Sequence, residues 1–60
     1  MDINDEAKAA ASNARHWGFT STADIHDQVI EALILERESG GERWTDEQIV
    51  DAAYKAVHNG

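Results

Sequence analysis

The chain has only 60 residues and contains no cysteine, so disulfide bonds cannot hold its fold together. At this length the free energy gained by burying apolar surface barely exceeds the conformational entropy lost on folding. Domains this small are usually stabilised by disulfides, a bound metal or association with another chain. We therefore expect a single domain over residues 1–60 with one small core. The lack of cysteine also favours a reducing compartment.

The spacing of apolar residues predicts the fold class. They recur every three or four positions in three segments, as on one face of an α-helix. Gly18 and the Gly40-Gly41 pair separate these segments, and the chain has no proline. The pattern predicts an all-α fold, a compact three-helix bundle with helices at about 4–16, 22–39 and 45–58. The second helix should be central, because apolar residues cover most of its circumference.

The inward faces of the outer helices follow from the same periodicity. On the first helix we expect an alanine-rich face, Ile3, Ala7, Ala10, Ala11, Ala14 and Trp17. Trp17 should supply the bulk at one end, and Phe19 should fold over the same cluster. On the second helix the expected inward stripe is Ile25, Val29, Ala32 and Leu33. On the third helix it is Ile49, Val50, Ala52, Ala53, Ala56 and Val57.

Two helix starts carry capping signals. Thr45 and Gln48 have the spacing of a capping box, and Trp44 is placed to pack against Ile49 as a hydrophobic staple. Ser21 is a suitable N-cap for the second helix, and Asp24 three positions later makes a weak capping box with it. The strongest local prediction is therefore the start of the third helix at Thr45.

The polar residues do not form a catalytic or metal-binding pattern. His16, His26 and His58 are never three or four positions apart, as two ligands on one helix would be. The serines and threonines fall at exposed or capping positions, and Gly40-Gly41 lacks the lysine and length of a phosphate loop. We expect no catalytic residue, cofactor or metal, and we do not expect an enzyme.

Charge and hydropathy restrict the partners further. Twelve acidic residues against five basic ones give a net charge of -7, and the basic residues are scattered. Phosphate backbones would be repelled, so we expect no direct nucleic-acid binding, although the helix arrangement also fits a helix-turn-helix outline. No apolar run is long enough to span a membrane, and the acidic start is unlike a signal peptide. These features predict a cytoplasmic chain that begins at its own Met1.

The second helix offers the candidate partner-binding residues. Its acidic strip has no basic residue at helical spacing, which suits either docking to a basic partner or simple solvation. Its apolar residues exceed what two flanking helices can cover, which favours association, with a homo-oligomer expected. The predicted partner-binding residues are Asp24, Asp27, Glu31, Glu38, Ile30, Ile34 and Leu35.

One short segment resembles a known family. Trp17-Gly18-Phe19-Thr20, between two predicted helices, slightly resembles the Met-Gly-Phe loop of ubiquitin-associated domains, which are three-helix modules. The likeness covers four residues, and the second helix predicted here is longer, so it assigns no family.

The expected function is a small protein-interaction module, regulatory or inhibitory, whose partner is a basic or nucleic-acid-binding protein. The alternative is a structural subunit or an obligate homo-oligomer. Short acidic chains of this kind are frequent in phage and mobile-element genomes.

Overall fold

The computed structural model describes residues 2–59 and contains three α-helices: α1 at Ile3–His16, α2 at Thr22–Gly40 and α3 at Asp46–Asn59. Each helix contacts the other two, in a body measuring 30 × 18 × 16 Å. The predicted three-helix bundle is confirmed, with every helix boundary within one residue of its predicted place. Met1 and Gly60, at the ends of the predicted domain, lie outside the described residues.

The core is built mostly from small side chains. Its ten buried residues come from all three helices: Ala7, Ala11, Ala14, Ile25, Val29, Leu33, Ile49, Ala52, Ala53 and Ala56. Alanine lets helix backbones approach closely but contributes little buried area. The largest fully buried side chains are Leu33, Ile49 and Val29. Much of the apolar stabilisation therefore depends on these three residues.

α1 ends in a Schellman motif around Gly18. The amide of Phe19 donates to the carbonyl of Ala14 at 3.1 Å, and the amide of Gly18 donates to that of Arg15 at 3.1 Å. These are the two hydrogen bonds that define the motif. Gly18 has a φ of 105°, which a residue with a Cβ rarely adopts. The glycine thus stops α1 and fixes the position of Phe19.

The two predicted capping boxes have different outcomes. Thr45 and Gln48 form one: the Gln48 amide donates to Thr45 Oγ1 at 3.1 Å, and the Thr45 amide donates to Gln48 Oε1 at 2.9 Å. Trp44 packs against the core that includes Ile49. The box at Ser21 is wrong, because this residue makes no side-chain cap hydrogen bond. Aspartate, the residue three positions on, has a shorter side chain than the Glu or Gln of a capping box.

Arg37 ties the end of α2 to the start of α3. Its Nη1 donates to the carbonyl oxygen of Trp44 at 3.2 Å and to Oδ1 of Asp46 at 2.7 Å. The guanidinium therefore bridges the connecting loop and the first turn of α3. This contact was not predicted, because it joins residues on different elements.

Three residues expected in the core lie at the surface. Trp17 is 81% exposed and Val50 is 50% exposed, and Ala32 is also exposed, so these expectations are wrong. Trp17 is the C-cap residue of α1 and comes after Ala14, the last buried residue of that helix. It lies on the same edge of α1 as Ala10, away from the centre of the inward face. Phe19, expected as a lid over the core, is 37% exposed.

Candidate functional site

The acidic strip of α2, Asp24, Asp27, Glu31 and Glu38, lies at the protein surface. All four side chains are exposed, and none of them forms an ion pair within residues 2–59. At 100° per residue, the strip falls on the side of α2 opposite the buried Ile25, Val29 and Leu33. The strip is therefore accessible to a partner and is not neutralised by the chain's own basic residues.

The structure divides the three apolar candidates on α2 into two groups. Ile30 and Ile34 are partly buried and pack against the core. Leu35 is 66% exposed and lies one helical turn from both Glu31 and Glu38. Only Leu35 therefore joins the acidic strip as an accessible apolar side chain.

A groove between α1 and α2 continues from Leu35. This α1–α2 groove has a volume of 430 Å³. Small side chains line part of it: Ala9 and Ala10 of α1 and Ala32 of α2. The bulky apolar side chains that line it are Trp17, Phe19 and Leu35. The result is a trough at the surface in which large apolar side chains lie beside alanines, and Asn13 and Gln28 also line it.

Sequence reasoning missed the groove because it assigned Trp17 to the core and overlooked one edge of α1. The signal is a row of positions at three-and-four spacing: Glu6, Ala9, Ala10, Asn13 and Trp17. This row lies beside the inward face that carries Ala7, Ala11 and Ala14. Ala9 and Ala10, in the middle of the row, leave the trough open. The Schellman turn fixes the backbone at the end of the row, where Trp17 lies.

The charges around the groove all have one sign. Glu6 of α1 and Glu36 of α2 line it, and among residues 2–58 no basic side chain does. Lys8 and Lys55 instead line a depression between α1 and α3.

Arg15 and Arg37 also make their contacts away from the groove. The Nη2 of Arg15 donates to the carbonyl oxygen of Val57 at 3.4 Å, and Arg37 is bound to Asp46. Among the described residues, the charged side chains that line the groove or form the acidic strip are therefore all acidic.

A second apolar patch lies on the outer face of α3. Val50 is 50% exposed and Tyr54 is 57% exposed, and the Tyr54 ring lies against His58 with 4.2 Å between the ring centroids. The patch is flanked by Glu47 and Asp51, and Asp51 Oδ2 lies 3.1 Å from the Lys55 ammonium. The depression beside it is larger, at 860 Å³, but it has fewer bulky apolar side chains than the α1–α2 groove and belongs to a single helix.

Within residues 2–59, no group of three histidine, aspartate or glutamate side chains is arranged to hold a metal ion. Among the side chains of residues 2–58, no buried nitrogen or oxygen lacks a hydrogen-bond partner. None of the described helices combines the length and hydropathy needed to cross a membrane. The features of this surface that suit binding are thus the groove, the acidic strip and the α3 patch.

No family model, curated protein or solved structure matches the chain. The function is therefore inferred from the surface itself.

Proposed function

We propose that the chain is a small acidic protein-interaction module of the cytoplasm, regulatory or inhibitory, which binds a protein partner through the outer face of α2. The observation that supports this most is the exposure of Leu35, 66%, between Glu31 and Glu38. A single exposed leucine is ordinary on a protein surface. Here the leucine adjoins a groove with further exposed apolar side chains, which is typical of an interaction site.

The charge of the strip favours a basic partner. Like charges at three- or four-residue spacing on a helix cost a few tenths of a kcal/mol per pair. In the strip, Asp24–Asp27 and Asp27–Glu31 have this spacing, whereas Glu38 is seven positions from Glu31. Asp24, in the first turn of α2, recovers part of the cost from the helix dipole, whereas Asp27 and Glu31 lie beyond that turn. A basic partner would relieve the repulsion and would be steered to this face by the field of the acidic chain.

The alternative function is that of a structural subunit or obligate homo-oligomer. It is favoured by the exposed Val50 and Tyr54 of α3, because a second copy could cover this patch and supplement a small core. The α3 patch belongs to a single helix, and its Asp51 is already paired with Lys55 of the same helix. The acidic strip beside Leu35 is unpaired within residues 2–59, which makes binding of a different protein through α2 the better-supported function.

The deciding experiment captures partners from the native cell with charge-matched proteins. The first variant is Glu31→Gln with Glu38→Gln, and the control is Asp5→Asn with Glu47→Gln, which removes the same charge from other helices. We expect the α2 variant to recover roughly tenfold less partner, and the wild type to lose it at about 0.5 M salt. Equal recovery by both variants would contradict the proposal.

The oligomeric alternative has its own measurement. Sedimentation of the wild type over a dilution series should give a monomer throughout if α2 binds a different protein. A dimer that persists on dilution and is lost in a Tyr54→Glu variant would support the oligomeric function instead.

A further inference from the structure

We propose that the α1–α2 groove receives a cationic amphipathic helix of the partner, anchored by Trp17 and Leu35. This inference rests on the proposed function and adds the place on the surface and the chemistry of the segment that binds there. It extends the binding surface beyond α2 to the C-terminal end of α1. It also assigns a role to Trp17, the most exposed of the large apolar side chains.

The shape of the groove fits a helix. Proteins that bind an amphipathic helix offer an apolar trough that takes side chains at positions i, i+3, i+4 and i+7. The α1–α2 groove runs between two helices, with alanines at Ala9, Ala10 and Ala32 and bulk from Trp17 and Leu35. The alanines leave room for the partner's larger side chains.

Trp17 has the properties of an interface anchor. Tryptophan is enriched among the residues that contribute most to binding, since it buries a large area and has only two side-chain torsions to restrict. Here 81% of the residue is accessible. Its backbone is held by the hydrogen bond from the Trp17 amide to the Asn13 carbonyl at 2.9 Å and by the Schellman turn that follows. Little of the backbone remains to be ordered when the ring is covered.

The charge pattern selects a cationic occupant. Glu6 and Glu36 line the groove, and the acidic strip continues from Leu35. In the part of the chain that the structure describes, no basic side chain lines the trough. A helix with an apolar face and basic flanks would place its charges against these carboxylates. A second copy of this chain would bring a net charge of -7 of its own, and an anionic membrane would also be repelled. The surface therefore favours a cationic helix of another protein.

The test uses a synthetic peptide of about 18 residues, five helical turns, with leucine at i, i+3, i+4 and i+7 and lysine elsewhere. A matched peptide carries glutamate in place of lysine. The ¹⁵N-labelled wild type is titrated with each, and the two indole N–H signals are assigned with a Trp17→Phe variant. We expect the lysine peptide to shift the Trp17 signal with saturation, and the glutamate peptide to leave it unchanged.

Two double variants locate the contact. Trp17→Ala with Leu35→Ala should weaken binding of the lysine peptide by roughly tenfold or more. Val50→Ala with Tyr54→Ala, which removes apolar area from the α3 patch, should change it by less than about twofold. Circular dichroism of both variants checks that the helices remain.

The inference is overturned if the lysine peptide does not bind, binds the Trp17/Leu35 variant equally well, or binds no better than the glutamate peptide. It is also overturned if neutral phosphatidylcholine vesicles shift the Trp17 signal and the lysine peptide does not, because the ring would then serve a membrane. The same variants separate this inference from the proposed function. A native partner retained by the Trp17/Leu35 variant but lost by the Glu31/Glu38 variant would contradict the groove and leave the function of α2 intact.

Discussion

Arg37 and Asp46 form an ion pair across the α2–α3 connection, with 2.7 Å between Nη1 and Oδ1. The same guanidinium nitrogen donates to the carbonyl oxygen of Trp44. Asp46 is 90% exposed at its side chain, whereas the side chain of Arg37 is only 26% exposed. The two partners therefore contribute unequally to stability.

We expect Arg37→Ala to lower the free energy of unfolding by about 1 kcal/mol, because it removes both contacts and leaves the Trp44 carbonyl without this donor. Asp46→Asn should cost only about 0.5 kcal/mol, because the ion pair is screened by solvent and the bond to Trp44 remains. Urea denaturation of both variants measures the difference. Equal losses would mean that the exposed ion pair, and not the bond to the loop carbonyl, carries the stabilisation.

The starts of α2 and α3 should differ in their sensitivity to alanine substitution. Thr45→Ala should lower stability by about 1 kcal/mol, because the Thr45 hydroxyl accepts from the Gln48 amide. Ser21→Ala should change stability by no more than a few tenths of a kcal/mol, because Ser21 makes no side-chain cap bond. Thermal melts of the two variants provide the comparison. A large loss at Ser21 would show that its hydroxyl caps α2 in solution.

Gly40 and Gly41 are neighbours in different conformations. Gly41 has a φ of 73°, so Gly41→Ala should lower stability by about 1 kcal/mol. Gly40 lies within α2, where alanine has the higher helix propensity, and a Cβ there would meet only the flexible carboxylate end of Glu36 at 3.0 Å. We expect Gly40→Ala to raise stability by about 0.5 kcal/mol. The same denaturation experiment tests both, and a stabilising Gly41→Ala would contradict the left-handed cap.

The helices and their caps could be predicted because they depend on neighbours in sequence. Gly18 and the Thr45–Gln48 pair each act within one turn of chain, so their residue types and spacing identify them. Trp17 could not be placed in the same way. Its position at three residues beyond Ala14 suits an inward face, but whether another helix reaches that level depends on the packing of the whole bundle.

Part of the candidate site was also predictable. The exposure of the acidic strip follows from its position opposite the buried stripe of α2. The groove could not be predicted, because its formation depends on which edge of α1 faces α2. The Arg37 contacts depend on the course of the loop between α2 and α3. Such contacts between elements leave no periodic signal in the sequence.

Ile34 and Leu35 differ in burial and should differ in their response to charge. Ile34→Glu should lower the stability of the isolated chain by about 2 kcal/mol, because Ile34 is partly buried against the core. Leu35→Glu should change stability by less than about 0.5 kcal/mol, because Leu35 is 66% exposed. Unfolding curves of the two variants, measured at the same low protein concentration, test this difference. An Ile34→Glu variant as stable as the wild type would show that Ile34 is accessible to solvent and not packed against the core.

The most direct test of the central claim maps the binding surface amide by amide. The ¹⁵N-labelled chain is titrated with the protein partner isolated from the native cell, and the shifts are compared between the helices. We predict that the largest changes fall on the outer face of α2 around Glu31 and Leu35 and on the edge of α1 from Ala9 to Trp17, with the amides around Tyr54 almost unchanged. Changes concentrated on α3 around Val50 and Tyr54, with α2 unaffected, would contradict the claim.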